Sequence, residues 1–355
     1  MTEPSAIVRA LELQAGACAA LGSRFSASLL ERAAADAAAG GPTATLFSPW
    51  EGVDVRSLFS DAVALRWLGG LHDLALSGEA PELSAAYPGA DRPGDADKAW
   101  PAILAATAAH GARLAAFMTH EPQTNEVLRS ACLLPGFLAV AETTGLPLRA
   151  LELGASAGLN QNWDRFHYDL SAAGRWGDNA AAVRLATDWR GPRPALDAAI
   201  KVVERAACDR KPVDLTDPVA RRRLKAYVWA DQTERLRRLE AAIALALTEG
   251  VRVDAEDAVG WAARRASARD GVATVVFHSV FFQYMAPASQ TALVETLAAH
   301  GTKATTAAPL AWLRMEPPAD NPAIMELRLT LWPHGEERLL AIVHPHGAWV
   351  EWQGP

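Results

Sequence analysis

The chain has 355 residues, half of them apolar and 21% charged, the balance of a globular protein with room for about two domains of ~150 residues each. Its 41 acidic against 34 basic side chains leave a formal charge of -7, which argues against a nucleic-acid backbone as partner, because phosphate contacts need a net supply of Lys and Arg. Cys18, Cys132 and Cys208 stand too far apart for a C-x-x-C pair, which excludes a zinc ribbon or disulfide framework and fits free thiols in a reducing compartment.

Met1–Gly16 lacks the basic-then-apolar build of a signal peptide, and no apolar run is long enough to span a bilayer; a cytoplasmic protein without membrane contact is expected. Residues 1 to about 144 read as helices joined by Gly/Pro-rich loops. Phe59, Val63, Trp67 and Leu71 recur at helical spacing, although Gly69-Gly70 weakens that segment. Ala-rich stretches near 26–39 and 97–118 have the same character. Gly40-Gly41-Pro42, Ser48-Pro49-Trp50 and Tyr87-Pro88-Gly89 are breaks. A helix over about 124–144 stops at Gly145. No strand is expected before Leu148.

From Leu148 the pattern alternates. Strands are expected at 148–153, 200–207, 251–254, 273–280 and 309–315. A long helix runs from Asp217-Pro218 to about Thr248, with proline at its first position, and another spans about 289–300. Arg221, Arg222, Arg223, Arg235, Arg237 and Arg238 alternate along the first of these with acids, as on a solvated face. Met325, Leu327, Leu329 and Leu331 then alternate with polar residues, turn at Pro333–Glu336 and return over 339–343, an antiparallel hairpin. Residues about 164–197 fit neither pattern and read as an insert. The expectation is an α/β fold: a doubly wound, mostly parallel seven-stranded sheet with an antiparallel C-terminal hairpin strand, preceded by an all-helical domain, with boundaries at 1–120 and 121–355.

The segment most suggestive of chemistry is Leu148-Arg-Ala-Leu-Glu152-Leu-Gly154-Ala-Ser156-Ala-Gly158. A strand ends in an acid, a tight glycine turn follows, and then comes a sequence that can start a helix; such a unit presents backbone N–H groups to a ligand. Gly154-Ala-Ser156-Ala-Gly158 is also a G-x-S-x-G, the serine elbow of α/β-hydrolases, with Asp254 or Asp257 and then His344 or His346 following in the required order. Two points oppose a hydrolase. The elbow needs preceding strands, and Glu152 would set like charge near a developing oxyanion. A dinucleotide site is a third reading, but Gly154 and Gly158 enclose three residues and G-x-G-x-x-G is not met.

At this loop the sequence resembles the class I S-adenosylmethionine-dependent methyltransferases. Glu152-Leu-Gly154-Ala-Ser-Ala-Gly158 is similar to their first motif, E/D-x-G-x-x-x-G, and the element order over about 120–345 ends in the reversed hairpin (325–343) that distinguishes them from dinucleotide-binding folds. The stretches around Gly154 and around Phe277-His-Ser-Val-Phe-Phe-Gln-Tyr284 also resemble a bacterial family of unknown function. The resemblance implies S-adenosylmethionine as cofactor and a small-molecule acceptor. Gly154, Ala155, Ser156 and Gly158 would hug the methionine part and Glu152 would hold its ammonium. Asp209, with Asp169 as rival, would take the ribose hydroxyls, and Asp254-Ala255 the adenine edge. The segment 271–284, with His278 and Ser279 at its strand end, would face the sulfonium and the acceptor. The Asn/Asp-Pro-Pro-Tyr form of that segment is absent, against a nucleic-acid amino-methyltransferase.

A helix joined tightly to the first strand runs antiparallel to it, which brings Gln123, Asn125, Glu126 and Arg129 near the glycine turn, as a roof or as an ordinary cap. His278 reads as a general base or as a hydrogen-bonded core histidine. Tyr284 joins it as a catalytic candidate, and Phe281 and Phe282 can face a cation. His344-Pro-His346 lacks a third ligand, so no metal is expected. Trp163-Asp164-Arg165 reads as packing plus an ion pair. No residue is an unmistakable catalyst, which leaves a non-catalytic methyltransferase-like binding module as a further alternative.

Overall fold

A computed structural model describes residues 5–89, 92–321 and 323–354. The chain forms two compact units: Met1–Thr124 with Thr216–Arg237, and Asn125–Leu215 with Arg238–Pro355. Among the described residues no helix is long and apolar enough to cross a membrane.

The first unit is helical. Side-chain caps start its helices at Ser5, Ser23, Asp54 and Asp95, each accepting from a backbone amide two or three residues on. Leu29, Leu30, Leu58, Trp67, Leu71 and Leu74 are among the residues of its core. Gly69 lies in the helix Val63–Ser77 because the Tyr227 ring packs on its bare backbone; a Cβ there would stand 2.8 Å from that ring.

The expected long helix over 217–248 is two helices, Pro218–Ala226 and Thr233–Glu249. Tertiary partners take up the groups freed at the break. His72 Nδ1 donates to the carbonyls of Ala226 at 3.2 Å and Val228 at 2.9 Å, and Asp231 accepts from Ser23 Oγ at 2.6 Å and Phe25 N at 3.0 Å. Arg222, expected on a solvated face, instead joins Arg113 on buried Asp73, at 2.8 and 2.7 Å. Thr216–Arg237 thus belongs with the helical unit, whereas the sequence pattern assigns it to the second domain.

The second unit is α/β. Its strands are β1 (Leu148–Leu153), β2 (His167–Asp169), β3 (Arg175–Trp176), β4 (Arg184–Ala186), β5 (Asp188–Arg190), β6 (Val202–Asp209), β7 (Asp254–Ala255), β8 (Ala273–Ser279), β9 (Leu310–Glu316), β10 (Met325–Trp332), β11 (Glu336–Val343) and β12 (Trp349–Trp352). Nine of them form one sheet in the order β5-β12-β11-β10-β9-β8-β1-β6-β7. Five neighbours from β7 to β9 run parallel, and β10 and β11 add the antiparallel hairpin. The count is nine rather than seven because β12 pairs with β11 and the insert supplies β5 as a further edge. The rest of the insert makes a separate three-stranded sheet, β3-β2-β4.

β1 is buried along its whole length, as a central parallel strand covered on both faces must be. On one face Leu151, Leu153 and Val276 pack with Trp261, Ala262, Leu293 and Leu297. On the other, the helix Arg129–Thr144 comes close enough for Phe137 to meet Phe277 edge-on, ring centroids 5.1 Å apart. From β1 the chain goes to β6 and β7 on one side, then returns to β8 and β9 on the other. That reversal puts the topological switch point of the sheet at the C-terminal end of β1, the place where open α/β sheets bind ligands. The element after the glycine turn is a short 3-10 helix, Leu159–Arg165, where an α-helix start is expected, so the macrodipole plays little part there.

Burial lowers the His72 pKa from 6.5 to about 4. The unfolded chain therefore binds this proton at a higher pH than the folded one does. The stability tied to His72 is present above pH 6.5, is lost as pH falls towards 4, and amounts to at most about 3 kcal/mol. Denaturant titrations between pH 4 and 7 should show this slope, and His72→Gln, which keeps an N–H donor, should flatten it.

Candidate functional site

Gly154, Ser156 and Gly158 all have positive φ, at 64°, 54° and 72°. Three left-handed residues in five fold the chain back tightly beyond β1. Most of the amides this exposes are taken internally. Ala155 N donates to Cys208 O at 3.0 Å and Gly158 N to Ala155 O at 2.7 Å. Ser156 N donates to Asp209 Oδ2 at 2.8 Å, and Leu159 N to Asn125 Oδ1 at 2.9 Å. The expectation of a loop offering a row of bare amides is thus corrected: its donors brace the loop. A Cβ on Gly154 would run into the Phe281 ring, and one on Gly158 would press on Val251 and Val253 at 2.8 Å.

Glu152 is the outlier of this region. It is 4% exposed, flanked in register by Ala207 and Phe277, and its Oε2 has no hydrogen-bond partner among the described residues. Burial, helped by the charge of Asp209, pushes its pKa well above 4.5. A buried carboxyl without a partner is costly and calls for an explanation outside the fold. Ser156 Oγ is likewise buried with no partner among the described residues.

Asp209, at the end of β6, accepts from Ser156 N and, through Oδ1, from Lys211 N at 2.8 Å. Its rival Asp169 lies in the small sheet, holding Ser171 N and Arg175 at 3.0 Å. Only Asp209 adjoins the glycine loop. Asp254, on β7, accepts from Trp261 Nε1 at 2.7 Å and faces Arg265 at 3.7 Å; Ala255 is exposed beside it.

The start of the helix before β1 does reach the loop, although that helix begins at Arg129 instead of near 124. Asn125 caps the Leu159 amide. Ser130 Oγ donates to Asn160 Oδ1 at 2.8 Å, and Asn160 Nδ2 to Glu126 O at 3.3 Å. Arg129 spans the Pro345 carbonyl at 3.0 Å and the Ser279 carbonyl at 3.5 Å, which ties the end of β8 to the turn before β12. Gln123 falls in the helical unit. In that turn His346 N donates to His344 Nδ1 at 3.0 Å; burial lowers the His344 pKa, opposed by the charge of Glu126. Among the described residues no group of three or more His, Cys, Asp or Glu is placed to hold a metal ion.

His278 is completely buried. Trp312 Nε1 lies 3.0 Å from its Nε2, and an indole can only donate, so Nε2 accepts and the ring proton sits on Nδ1. Nδ1 donates to Glu316 Oε1 at 2.6 Å. With both nitrogens engaged the residue matches the core-histidine alternative and has no lone pair left for a substrate proton. Phe282 stacks on it, centroids 5.9 Å apart. Tyr284, the second catalytic candidate, is 77% exposed and stands outside the buried group. Trp163 stacks on Phe137 at 3.9 Å, and Asp164 and Arg165 pair with Arg205 and Glu249, as packing plus ion pairs. Glu316 is the residue missed from sequence; its one signal was an acid at the end of the largely apolar β9.

A family of uncharacterized proteins conserved in bacteria (DUF2332) matches residues 8–352. The chain belongs to that family. An uncharacterised bacterial family is what the stretches around Gly154 and Phe277–Tyr284 led us to expect. The DUF2332 match includes both the helical segments and the glycine loop. No match was found among curated proteins or among solved structures.

Above pH 4.5 an unfolded chain ionises Glu152, whereas burial makes the folded one hold this proton to higher pH, so the group increasingly disfavours folding as pH rises out of the ordinary carboxyl range. Glu152→Gln should therefore raise the Tm at pH 8 more than at pH 5. A gain of about 1–3 kcal/mol corresponds to a few degrees, on the order of 2–4 °C per kcal/mol, readable by calorimetric scans at the two pH values.

Proposed function

We propose that the switch point beyond β1 binds S-adenosylmethionine and that the protein is a methyltransferase for a small-molecule acceptor. The observation that carries this reading is the buried, unpartnered carboxyl of Glu152 at the switch point of a doubly wound sheet. An amino-acid ammonium would give that carboxyl the partner the fold withholds. Asp209 stands one strand away; each of its oxygens takes one amide, which leaves acceptor capacity for a diol. The acids therefore fit the cofactor. The loop fits it less directly, because Asp209, Asn125 and Cys208 use its amides and Phe281 lies on Gly154.

When bound, S-adenosylmethionine supplies an electrophilic methyl carried on a sulfonium. On binding, Glu152 would give up its proton and become the counter-ion of the ammonium. Arg129, hydrogen-bonded to the Ser279 carbonyl, fixes the end of β8 where an acceptor would lie. With His278 saturated, the chain's contribution would be alignment and exclusion of water rather than general-base catalysis. The serine-hydrolase alternative loses support: among the described residues Ser156 Oγ has no imidazole partner, and those before Leu148 form no strand of the sheet. A non-catalytic binding module is the second reading, favoured by the same saturation of His278.

Titration calorimetry with S-adenosylmethionine and S-adenosylhomocysteine tests the proposal. Binding is expected with both, with an observed heat that differs between buffers of unlike ionisation enthalpy because a proton is released, and with an affinity that rises with pH. Glu152→Gln should weaken it about 10- to 100-fold and Gly154→Arg should abolish it. Folded wild-type protein that gives no heat with either compound ends the idea. Binding without methyl transfer to any amine, hydroxyl or thiol tried would leave the binding module.

A further inference from the structure

The turn beyond β8 has a construction that the packing of the sheet does not require. Val280 has φ 52°, a left-handed conformation that β-branched residues rarely adopt and that tends to mark functional positions. The residue after it lays its ring on β1's glycine turn, in the space a Cβ on Gly154 would need. Val280 N donates to the Met315 carbonyl at 2.8 Å, and beyond it one side-chain oxygen gathers the donors of the turn. Glu316 Oε1 accepts from Phe281 N at 2.9 Å, Phe282 N at 3.2 Å and His278 Nδ1 at 2.6 Å, while Oε2 is buried with no partner among the described residues. Hydrogen bonds to an ionised acceptor are roughly twice as strong as neutral ones. Trp312 fixes the far nitrogen of His278, so this donor is itself held in place.

We propose that Glu316 is a positioning residue for the glycine-loop site and acts through Phe281: its three-donor latch keeps the Phe281 ring seated on Gly154 and thereby sets how readily a ligand reaches the loop. The effect on ligand rests on the reading of the loop as a cofactor site; the seating of the ring does not. Glu316→Gln keeps the shape and removes the charge, which weakens all three bonds together and lets Val280 relax out of the left-handed region. Phe281→Ala removes the ring and leaves the latch.

Hydrogen exchange on the protein without ligand is the first measurement. Glu316→Gln should speed exchange about tenfold at the amides of Phe281 and Phe282 and over 154–158. Phe281→Ala should speed it only over 154–158. The second measurement is the association rate of S-adenosylhomocysteine in stopped flow, expected to rise about tenfold in each single variant. The double variant should bind no faster than Phe281→Ala alone, because Glu316 acts through that ring. Unchanged exchange at Phe281 and Phe282 in Glu316→Gln, or a double variant whose rate gain is the product of the two singles, overturns the proposal. If the wild type binds no S-adenosylhomocysteine, the cofactor reading falls and the exchange pattern alone decides the latch.

Discussion

The second unit is organised around one side chain, Asp209. Its two carboxylate oxygens take the amides of Ser156 and Lys211, and its own carbonyl accepts from Glu256 N at 3.0 Å. The chain just beyond β1, β6 and β7 is thereby gathered onto a single residue at the C-terminal edge of the sheet. Turns with positive φ are otherwise weakly determined, since they have few favourable contacts of their own. Here the Asp209 side chain fixes one of them by accepting from Ser156 N, and Asn125 fixes its far end. Glu152 on β1 and the seat of Phe281 on Gly154 both lie along this edge.

Against that rigid frame the chain tolerates local costs. Glu152 is buried without a partner, and Val280 sits in a conformation unsuited to a branched side chain. Both cluster at the switch point, and neither helps the sheet to pack. Natural sequences keep such inconsistencies mainly where something other than stability is selected. The same region has a saturated histidine whose role is to support its neighbours.

The parts of the fold set by local burial were legible. β1 and β8 could be read from apolar runs because both faces of a central strand are covered, and β10 from its alternation because one face is wet. The 3.6-residue pattern likewise gave the helical first unit. What could not be read depends on partners distant in sequence. Nothing between Pro218 and Glu249 forecasts a break, because the reason is His72 and Ser23 competing for it from other helices. β5 is three residues long and has an identity only through β12. At the site, Glu152 and Asp209 were visible as acids closing strands, and the proximity of Asn125 followed from helix direction. Glu316 was passed over because its meaning lies in three donors on a different strand and turn. The role considered for His278 failed for the same reason: Trp312 and Glu316 decide it, and neither is its sequence neighbour.

The helical unit is assembled from two stretches separated by part of the other unit, and the second stretch carries the carbonyls of Ala226 and Val228, Arg222 and Asp231. A ribosome that has released only the first 124 residues has therefore delivered an unfinished core, with His72 lacking its acceptors and Asp73 half its countercharge. The helices at the front of the chain must wait for Tyr227 and its neighbours to be translated. Chain order and folding order part company here, and fragments cut at the end of the first stretch inherit that deficit.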